Sequence, residues 1–337
     1  MTVTIRDVAQ RLGLSIYTVS RAIDGYDDVA DATRERVIEM AKEMGYTPSR
    51  AARQLRRQRA EAIGYILPAG GPHFKDPFFS EFMAGLGDEA TSRNYDLLVS
   101  TASPDSPAEK QIYQRWMQGQ LVDGLVLSRM RLHDWRADYL LLNKFPFVAH
   151  GRTLNCEDYP FIEMDSRSAF VLIVQHLVQR GHQRIAYIGA PEIFTLQADR
   201  FSGYRDGLAG SGIDFDADLV KEGDLSRNGG YQAALQLLDL PDPPTAIIGV
   251  NDLTAVGAMR AARERGLEVG SDLAVAGYDG TDDSEHAQPP LTTLKQPVYE
   301  TARRLVTMLL ARITGEKLDP MQEIIQPELI IRESTGK

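Results

Sequence analysis

The chain has 337 residues, enough for two or three domains at ~150 residues each, and its 43% hydrophobic and 25% charged residues are ordinary globular proportions. Wholesale disorder and collagen-like order are therefore excluded. The net charge of −10 is uneven: residues 1–60 hold 11 Lys+Arg against 8 Asp+Glu, or +3, and the remainder holds 26 against 39, or −13. No apolar run reaches the ~18 residues that cross a bilayer, and Arg6, Asp7, Gln10 and Arg11 break up the region where a signal peptide would lie. The lone Cys156 makes neither an internal disulfide nor a cysteine metal site. A cytoplasmic protein with no membrane partner and no cofactor is expected.

Ile5, Val8, Ala9 and Leu12 recur at helical spacing, with Thr4 placed to cap and Gly13 to stop. Ser15 caps a second run, Ile16–Ile23, closed by Asp24-Gly25, so two short helices meet at a tight Gly-Leu-Ser turn, a helix-turn-helix pattern. A third helix, about residues 32–44, places Val37, Ile38, Ala41 and Met44 on one stripe to cover the first two. If Val19 and Ala22 or Ile23 face inward, Ile16, Tyr17, Ser20 and Arg21 are left outside, near a helix start where base edges are read. An arginine there bonds guanine twice, and an isoleucine packs on a thymine methyl.

Beyond Pro48, Arg50, Ala51, Ala52, Arg53, Leu55 and Arg56 make a short basic helix with an apolar edge. At about eight residues it is marginal in water by itself. A leucine on an arginine-rich helix suits a wedge entering the minor groove while its arginines hold phosphates.

From residue 62 short apolar runs alternate with helices. Strands are expected at Ile63–Leu67, Leu97–Val99, Gly124–Leu127, Phe147–Ala149, Ile185–Ile188, Ala246–Val250 and Leu273–Ala276, and helices at about 77–93, 107–119, 166–180, 197–210, 226–239, 252–265 and 298–314. This alternation means parallel sheets covered by helices, and about 270 residues exceed one sheet, so two doubly wound subdomains are expected. Ligands bind beyond the carboxyl ends of such strands. There the sequence places Asp76-Pro77-Phe78-Phe79, Asp165, Asn251-Asp252 and Asp279, with Arg200 before a helix holding Gly203-Tyr204. Carboxylates, an arginine and flat rings at one cleft suit a polyhydroxylated ligand.

Three further motifs carry a resemblance. Thr4-Ile5-Arg6-Asp7-Val8-Ala9, Gly13-Leu14-Ser15 with Thr18-Val19-Ser20-Arg21, and Gly45-Tyr46 with Pro48 and Ala52-Arg53-Gln54-Leu55 resemble the lactose/galactose repressor family of bacterial transcription regulators. Arg200-Phe201-Ser202-Gly203-Tyr204, Asn251-Asp252, Gly277-Tyr278-Asp279 and a crossover at Pro289–Thr293 extend it to about residue 333. The resemblance implies an α/β chain of three parts. Residues 1–47 are a three-helix DNA-binding domain, and 48–60 a hinge helix and linker. Residues 61–337 form a two-subdomain periplasmic-binding-protein-like body, with subdomains at about 61–162 plus 293–322 and 163–292 plus 323–337.

It also implies DNA contacts from Thr4, Ser15, Ile16, Tyr17, Thr18, Ser20, Arg21, Arg50, Ala52, Arg53, Leu55 and Arg56. Effector contacts are implied for Phe78, Phe79, Asp165, Arg200, Leu225, Asn251 and Asp279, with Arg200 and Asp279 strongest. The chain departs from the family at Asp24, at Ala30, which leaves Asp31 to cap the third helix, and at Leu225, where an aromatic is usual. Asp27 and Asp28 add negative charge near the expected phosphates. The partners expected are palindromic operator DNA, a small carbohydrate effector and a second copy of the chain.

Rival readings each lack a feature. A nicotinamide-linked dehydrogenase needs a Gly-x-Gly-x-x-Gly turn that Leu67-Pro68-Ala69-Gly70-Gly71-Pro72 does not supply. No His-Glu-x-x-His spacing occurs among the six histidines. A sugar-binding transport protein shares the two-lobed body but leaves residues 1–60 without purpose. A nucleoside or purine-type corepressor on the same fold stays open as the alternative effector.

Overall fold

The computed structural model describes residues 3–46, 59–68, 76–154, 156 and 158–336. Arg50, Ala52, Arg53, Leu55 and Arg56 of the expected hinge helix lie outside the described residues. The chain divides into two compact units, Met1–Ala60 and Glu61–Lys337.

In the first unit α1 (Ile5–Leu12) begins where the Asp7 carboxylate accepts from the Thr4 N–H at 2.8 Å and the Thr4 hydroxyl at 2.7 Å. It ends at Gly13, whose φ of 66° needs no Cβ. Ser15 Oγ accepts from the Thr18 N–H at 3.0 Å to start α2 (Ile16–Ile23). Helix α3 (Asp31–Glu43) closes a core of Val8, Ala9, Val19, Ala22, Val29, Val37 and Ala41. Three expectations are corrected here. Asp31 is the first helical residue rather than the cap, and its carboxylate pairs with Arg34 at 2.8 Å. Ile38 is 50% exposed, and Met40 packs on the core in its place beside the expected Met44. Ser20 is only 7% exposed, turned inward beside Val19 with its hydroxyl toward Asp24 at 3.4 Å.

In the second unit, apolar runs form twelve strands among the described residues, in two six-stranded sheets. The first lobe holds β1 (Ala62–Pro68), β2 (Asp96–Ala102), β3 (Gly124–Leu127), β4 (Phe147–His150), β5 (Phe161–Met164) and β11 (Gln322–Ile325), ordered β11-β5-β4-β3-β1-β2, all parallel. The second holds β6 (Ile185–Gly189), β7 (Val220–Glu222), β8 (Ala246–Gly249), β9 (Ala274–Asp279), β10 (Thr292–Lys295) and β12 (Glu328–Ile330), ordered β12-β10-β9-β8-β6-β7. Only the edge strand β12 runs antiparallel there.

Helices α4 (Pro77–Ser92) and α12 (Val298–Thr314) pack together on the first sheet, while Trp116 of α5 (Pro107–Gln118) fits against Gly64, where a Cβ would lie 2.6 Å from its ring. A short α6 (Trp135–Leu142) follows β3. On the second lobe α7 (Ser166–Gln179) pairs with α8 (Thr195–Gly210), and α9 (Arg227–Leu238) with α10 (Asp252–Glu264); α11 (Asp282–His286) is a single turn.

The chain changes sheet after β5, after β10 and after β11. These crossings sit two or three residues beyond the expected boundaries. Pairing decides them: Met164 is in register with Ile325 in the first sheet, and Leu294 lies between Tyr278 and Leu329 in the second. The crossing expected at Pro289–Thr293 is accordingly Gln296-Pro297, and a later one follows β11 at Gln326-Pro327. Arg200 lies inside α8, not before it.

Candidate functional site

Helix α2 presents its first turn outward: Tyr17 is 68% exposed, and Ile16 is also exposed beside it. Ser15 and Thr18 interlock through their hydroxyls at 2.8 Å, which fixes the start of the helix. Arg21 is not free on this surface. Its Nη2 lies 2.7 Å from Asp28 Oδ1, its Nε donates to the same oxygen at 2.8 Å, and its guanidinium carbon sits 4.0 Å from the Tyr26 ring centre. Thr4 caps α1, and Ser20, being buried, offers no outward group.

In the second unit the carboxyl ends of both sheets face a cavity that, with its open mouth, encloses about 640 Å³. The first lobe contributes Asp76 and Phe78 at the start of α4, Arg129 and Met130 after β3, His150 and Gly151 at the end of β4, and Glu163 from β5. The second contributes Thr195, Leu196 and Arg200 from α8, Leu225 after β7, Asn251 before α10, Asp279 ending β9, and Gln296 after β10. Phe78, Arg200, Leu225, Asn251 and Asp279 are thus brought together as expected.

Two expected contacts are not. Phe79 turns into the core, 2% exposed under the Arg129 guanidinium at 4.8 Å. Asp165 caps α7, accepting from the Ser168 N–H at 3.0 Å and Gln326 Nε2 at 2.6 Å, away from the cavity wall. Asp76, expected at this strand end, lines the wall, and Arg129, His150, Glu163 and Gln296 join it without being expected. A carboxylate inside the apolar run Phe161-Ile162-Glu163-Met164 was the available signal for Glu163.

The wall is preorganised. Asp76 Oδ1 accepts from the Phe78 N–H at 3.1 Å and Oδ2 from Arg129 Nη2 at 2.6 Å. Arg200 donates from Nη1 to the Val250 carbonyl at 2.6 Å and lies 3.7 Å over the Tyr278 ring, yet its buried Nε has no acceptor. Asn251 accepts from the Thr254 N–H at 3.0 Å and hydroxyl at 2.6 Å, and donates to the Leu225 carbonyl at 3.2 Å. Of eight non-glycine residues at positive φ among the described residues, Arg129 (47°), Leu225 (66°) and Asp279 (122°) line this one cavity. Backbone strain concentrated in this way marks functional sites.

Charge is tuned by burial. His150, packed 5.5 Å from Phe78 and 5.4 Å from Phe82, is pushed down to about 4 by burial and then by the Arg200 charge, so its imidazole is neutral and its buried Nε2 has no partner. Burial first, and the Asp199 carboxylate second, push Glu163 up to about 7 against the pull of Arg152. Burial likewise holds Asp279 well above the ordinary carboxylate range, opposed by Arg200. Across the cavity mouth the lobes touch: Thr195 donates to the Met130 carbonyl at 3.1 Å through its N–H and to the Arg152 carbonyl at 2.7 Å through its hydroxyl, and Arg152 pairs with Asp199 at 3.1 Å.

A family model described as bacterial regulatory proteins, lacI family, matches residues 4–49, and a periplasmic binding protein-like domain matches residues 174–335. The HTH-type transcriptional regulator AglR of Rhizobium meliloti (strain 1021) is 35% identical, with 100% of this chain and 95% of that protein covered. The chain belongs to the LacI family of bacterial regulatory proteins. The HTH-type transcriptional regulator CelR of Thermobifida fusca is 33% identical over 98% of both chains. Among solved structures, a CelR-cellobiose complex matches with TM-score 0.76 and 32% identity over 98% of this chain and 99% of that one. The lac repressor dimer bound to operator and the anti-inducer ONPF matches with TM-score 0.86 and 29% identity over 100% of both. As a LacI-family member the chain is a helix-turn-helix transcriptional regulator, not an enzyme, and none of its described helices is long and apolar enough to cross a membrane.

Proposed function

We propose that this LacI-family regulator is a homodimeric repressor of sugar-uptake or catabolic genes, released from a palindromic operator by a small carbohydrate in the interlobe cleft. The observation that carries this reading is the wall of that cleft. Asp279, Asn251 and Arg200 present fixed polar groups at its second-lobe side, and Phe78 presents a flat ring at the other. Polar groups of this kind bond adjacent hydroxyls while a ring covers the C–H face of a sugar. The relative solved as a CelR-cellobiose complex supports the ligand class, and the lac repressor dimer on operator supports the assembly.

One recognition helix reads half a site, so two copies read a palindrome. Ile16 and Tyr17 are the exposed readers, and Arg21 joins them once it leaves Asp28. Residues 48–60 serve as the hinge, with Leu55 as the minor-groove wedge and Arg50, Arg53 and Arg56 on phosphates. A ligand that repositions one lobe against the other alters the spacing of the two hinges and so the operator affinity.

A thermal-shift screen of mono- and disaccharides, with a nucleoside control, tests the ligand class. Stabilisation by a carbohydrate that also lowers operator affinity is the expected result. Stabilisation by the nucleoside alone, with operator affinity raised, overturns it in favour of a purine-type corepressor.

A further inference from the structure

We propose that His150 is an effector-binding residue of the first lobe, and that ligand hydroxyls bonded to its Nε2 and to Arg200 Nε tie the two lobes together. The inference rests on the carbohydrate reading of the cleft and deepens it.

Among the described residues, few side-chain polar atoms are both buried and without a partner. Two of them, His150 Nε2 and Arg200 Nε, belong to the wall of this cleft. Other polar groups of the wall are engaged by the wall itself. Asp76 uses both carboxylate oxygens, one on the Phe78 N–H and one on Arg129, and Asn251 uses both ends of its amide, on Thr254 and on the Leu225 carbonyl. A buried nitrogen left unpaired costs the fold the hydration it has lost.

Packing gives no reason for a nitrogen at residue 150. His150 ends β4, and its ring lies 5.5 Å from Phe78 and 5.4 Å from Phe82, an apolar setting that a leucine would fill without that cost. Arg200 comes from α8 of the other lobe. Its Nη1 is fixed on the Val250 carbonyl at 2.6 Å and its guanidinium lies 3.7 Å over the Tyr278 ring, so its Nε is held in place. The two residues are near enough that the Arg200 charge adds to burial in keeping His150 neutral.

A hydroxyl is the group that suits both atoms. It accepts from the Arg200 Nε–H, and it either donates to the His150 Nε2 lone pair or accepts from Nε2–H, whichever tautomer the ring adopts. Because β4 belongs to one lobe and α8 to the other, a sugar bonded to both residues holds the lobes together, and lobe position becomes part of the binding equilibrium.

The test is calorimetry on the full-length chain, with glucose, galactose, cellobiose, maltose and sucrose as probes and uridine as the nucleoside control. His150→Leu removes the nitrogen and keeps the apolar packing, whereas His150→Gln keeps a polar group at similar reach. The expected result is that a sugar bound by the wild-type chain loses at least about tenfold in affinity in His150→Leu and recovers at least about threefold of that in His150→Gln. The ligand-free His150→Leu chain is expected to melt no lower than wild type, because an unpaired buried nitrogen has gone.

Wild-type sugar affinity in His150→Leu overturns the inference and leaves the carbohydrate reading intact. An equal loss of affinity in both variants, with both melting lower than wild type, also overturns it and marks His150 as a packing residue. Binding of uridine and of none of the five sugars overturns the carbohydrate reading and this inference together.

Discussion

Gln296 donates from Nε2 to an Asp279 carboxylate oxygen at 2.6 Å, and its backbone N–H donates to the Asp279 carbonyl at 3.2 Å. Gln296 is also the residue at which the chain leaves β10 of the second lobe for α12 of the first. A ligand that engages the Asp279 carboxylate therefore competes with a bond to a crossover strand, which gives the cleft a direct hold on lobe movement. Asp279→Ala should leave operator affinity within about threefold of wild type and abolish release by effector. Gel-shift titrations with and without effector check this, and normal release in the variant would place the effector site elsewhere.

At the DNA-reading helix, Arg21 is held by Asp28 and lies over Tyr26. An exposed pair of this kind is weak and screened by solvent, so freeing the arginine costs little but not nothing. Asp28→Asn should raise operator affinity by roughly two- to fivefold. Arg21→Ala should relax sequence choice rather than weaken all sequences evenly. Selection from a random duplex pool separates the two effects; an unchanged consensus in Arg21→Ala would remove Arg21 as a base reader.

Glu163 links the cleft to pH. Its folded-state value of about 7 lies above the ordinary 4.5, so between those values the unfolded chain has lost its proton while the folded chain keeps it. Stability from this group is full below about pH 4.5 and falls as pH rises to 7, by at most about 3 kcal/mol. His150 acts in the opposite sense. With its value pushed down to about 4 from 6.5, its contribution is full above 6.5 and is lost as pH falls toward 4. The two slopes oppose one another, and the variant difference isolates Glu163: Glu163→Gln should gain urea resistance over wild type at pH 8 and little at pH 5. An equal difference at both pH values would contradict the assignment.

Helix α8, which carries Arg200, packs on α7 through Gly203, where a Cβ would lie 2.2 Å from the Arg167 carbonyl oxygen. Backbone cannot yield as a flexible side chain does. Gly203→Ala should cost about 1–3 kcal/mol of stability by overpacking and weaken effector binding by displacing Arg200. A thermal midpoint equal to that of wild type would show the helices free to separate.

The alternation of short apolar runs with helices made the two-sheet body legible, because strands buried on both faces read as unbroken apolar segments. Strands β5, β7, β10, β11 and β12 are not among those the sequence predicts. Val220–Glu222 and Glu328–Ile330 are three residues long, and Gln322–Ile325 is partly exposed, so their pairing is a tertiary fact rather than a local one. In the cleft, Asn251 and Asp279 are legible because they sit at strand ends, and Arg200 because it opens the motif Arg200-Phe201-Ser202-Gly203-Tyr204. Asp165 misleads for a related reason: a carboxylate after a strand is also an ideal helix cap, and the bonds from the Ser168 N–H and Gln326 show that it takes that role. His150 takes its character from Phe78 and Phe82 of α4 and from Arg200 of the opposing lobe, and Gln296 from Asp279 at the end of the neighbouring strand, and no spacing rule reaches either. Ser20 shows the limit on short helices, where an inward turn of one residue decides whether a hydroxyl faces DNA or core.

The most direct measurement is the operator affinity of the purified full-length chain with its cleft empty and filled. Fluorescence anisotropy on a palindromic duplex, selected by the chain from a random pool, supplies the dissociation constant in each case. The account predicts that a carbohydrate bound in the cleft raises that constant by about 5- to 150-fold, and that the duplex weakens the carbohydrate by the same factor. An operator affinity that stays constant while the cleft is saturated would contradict it.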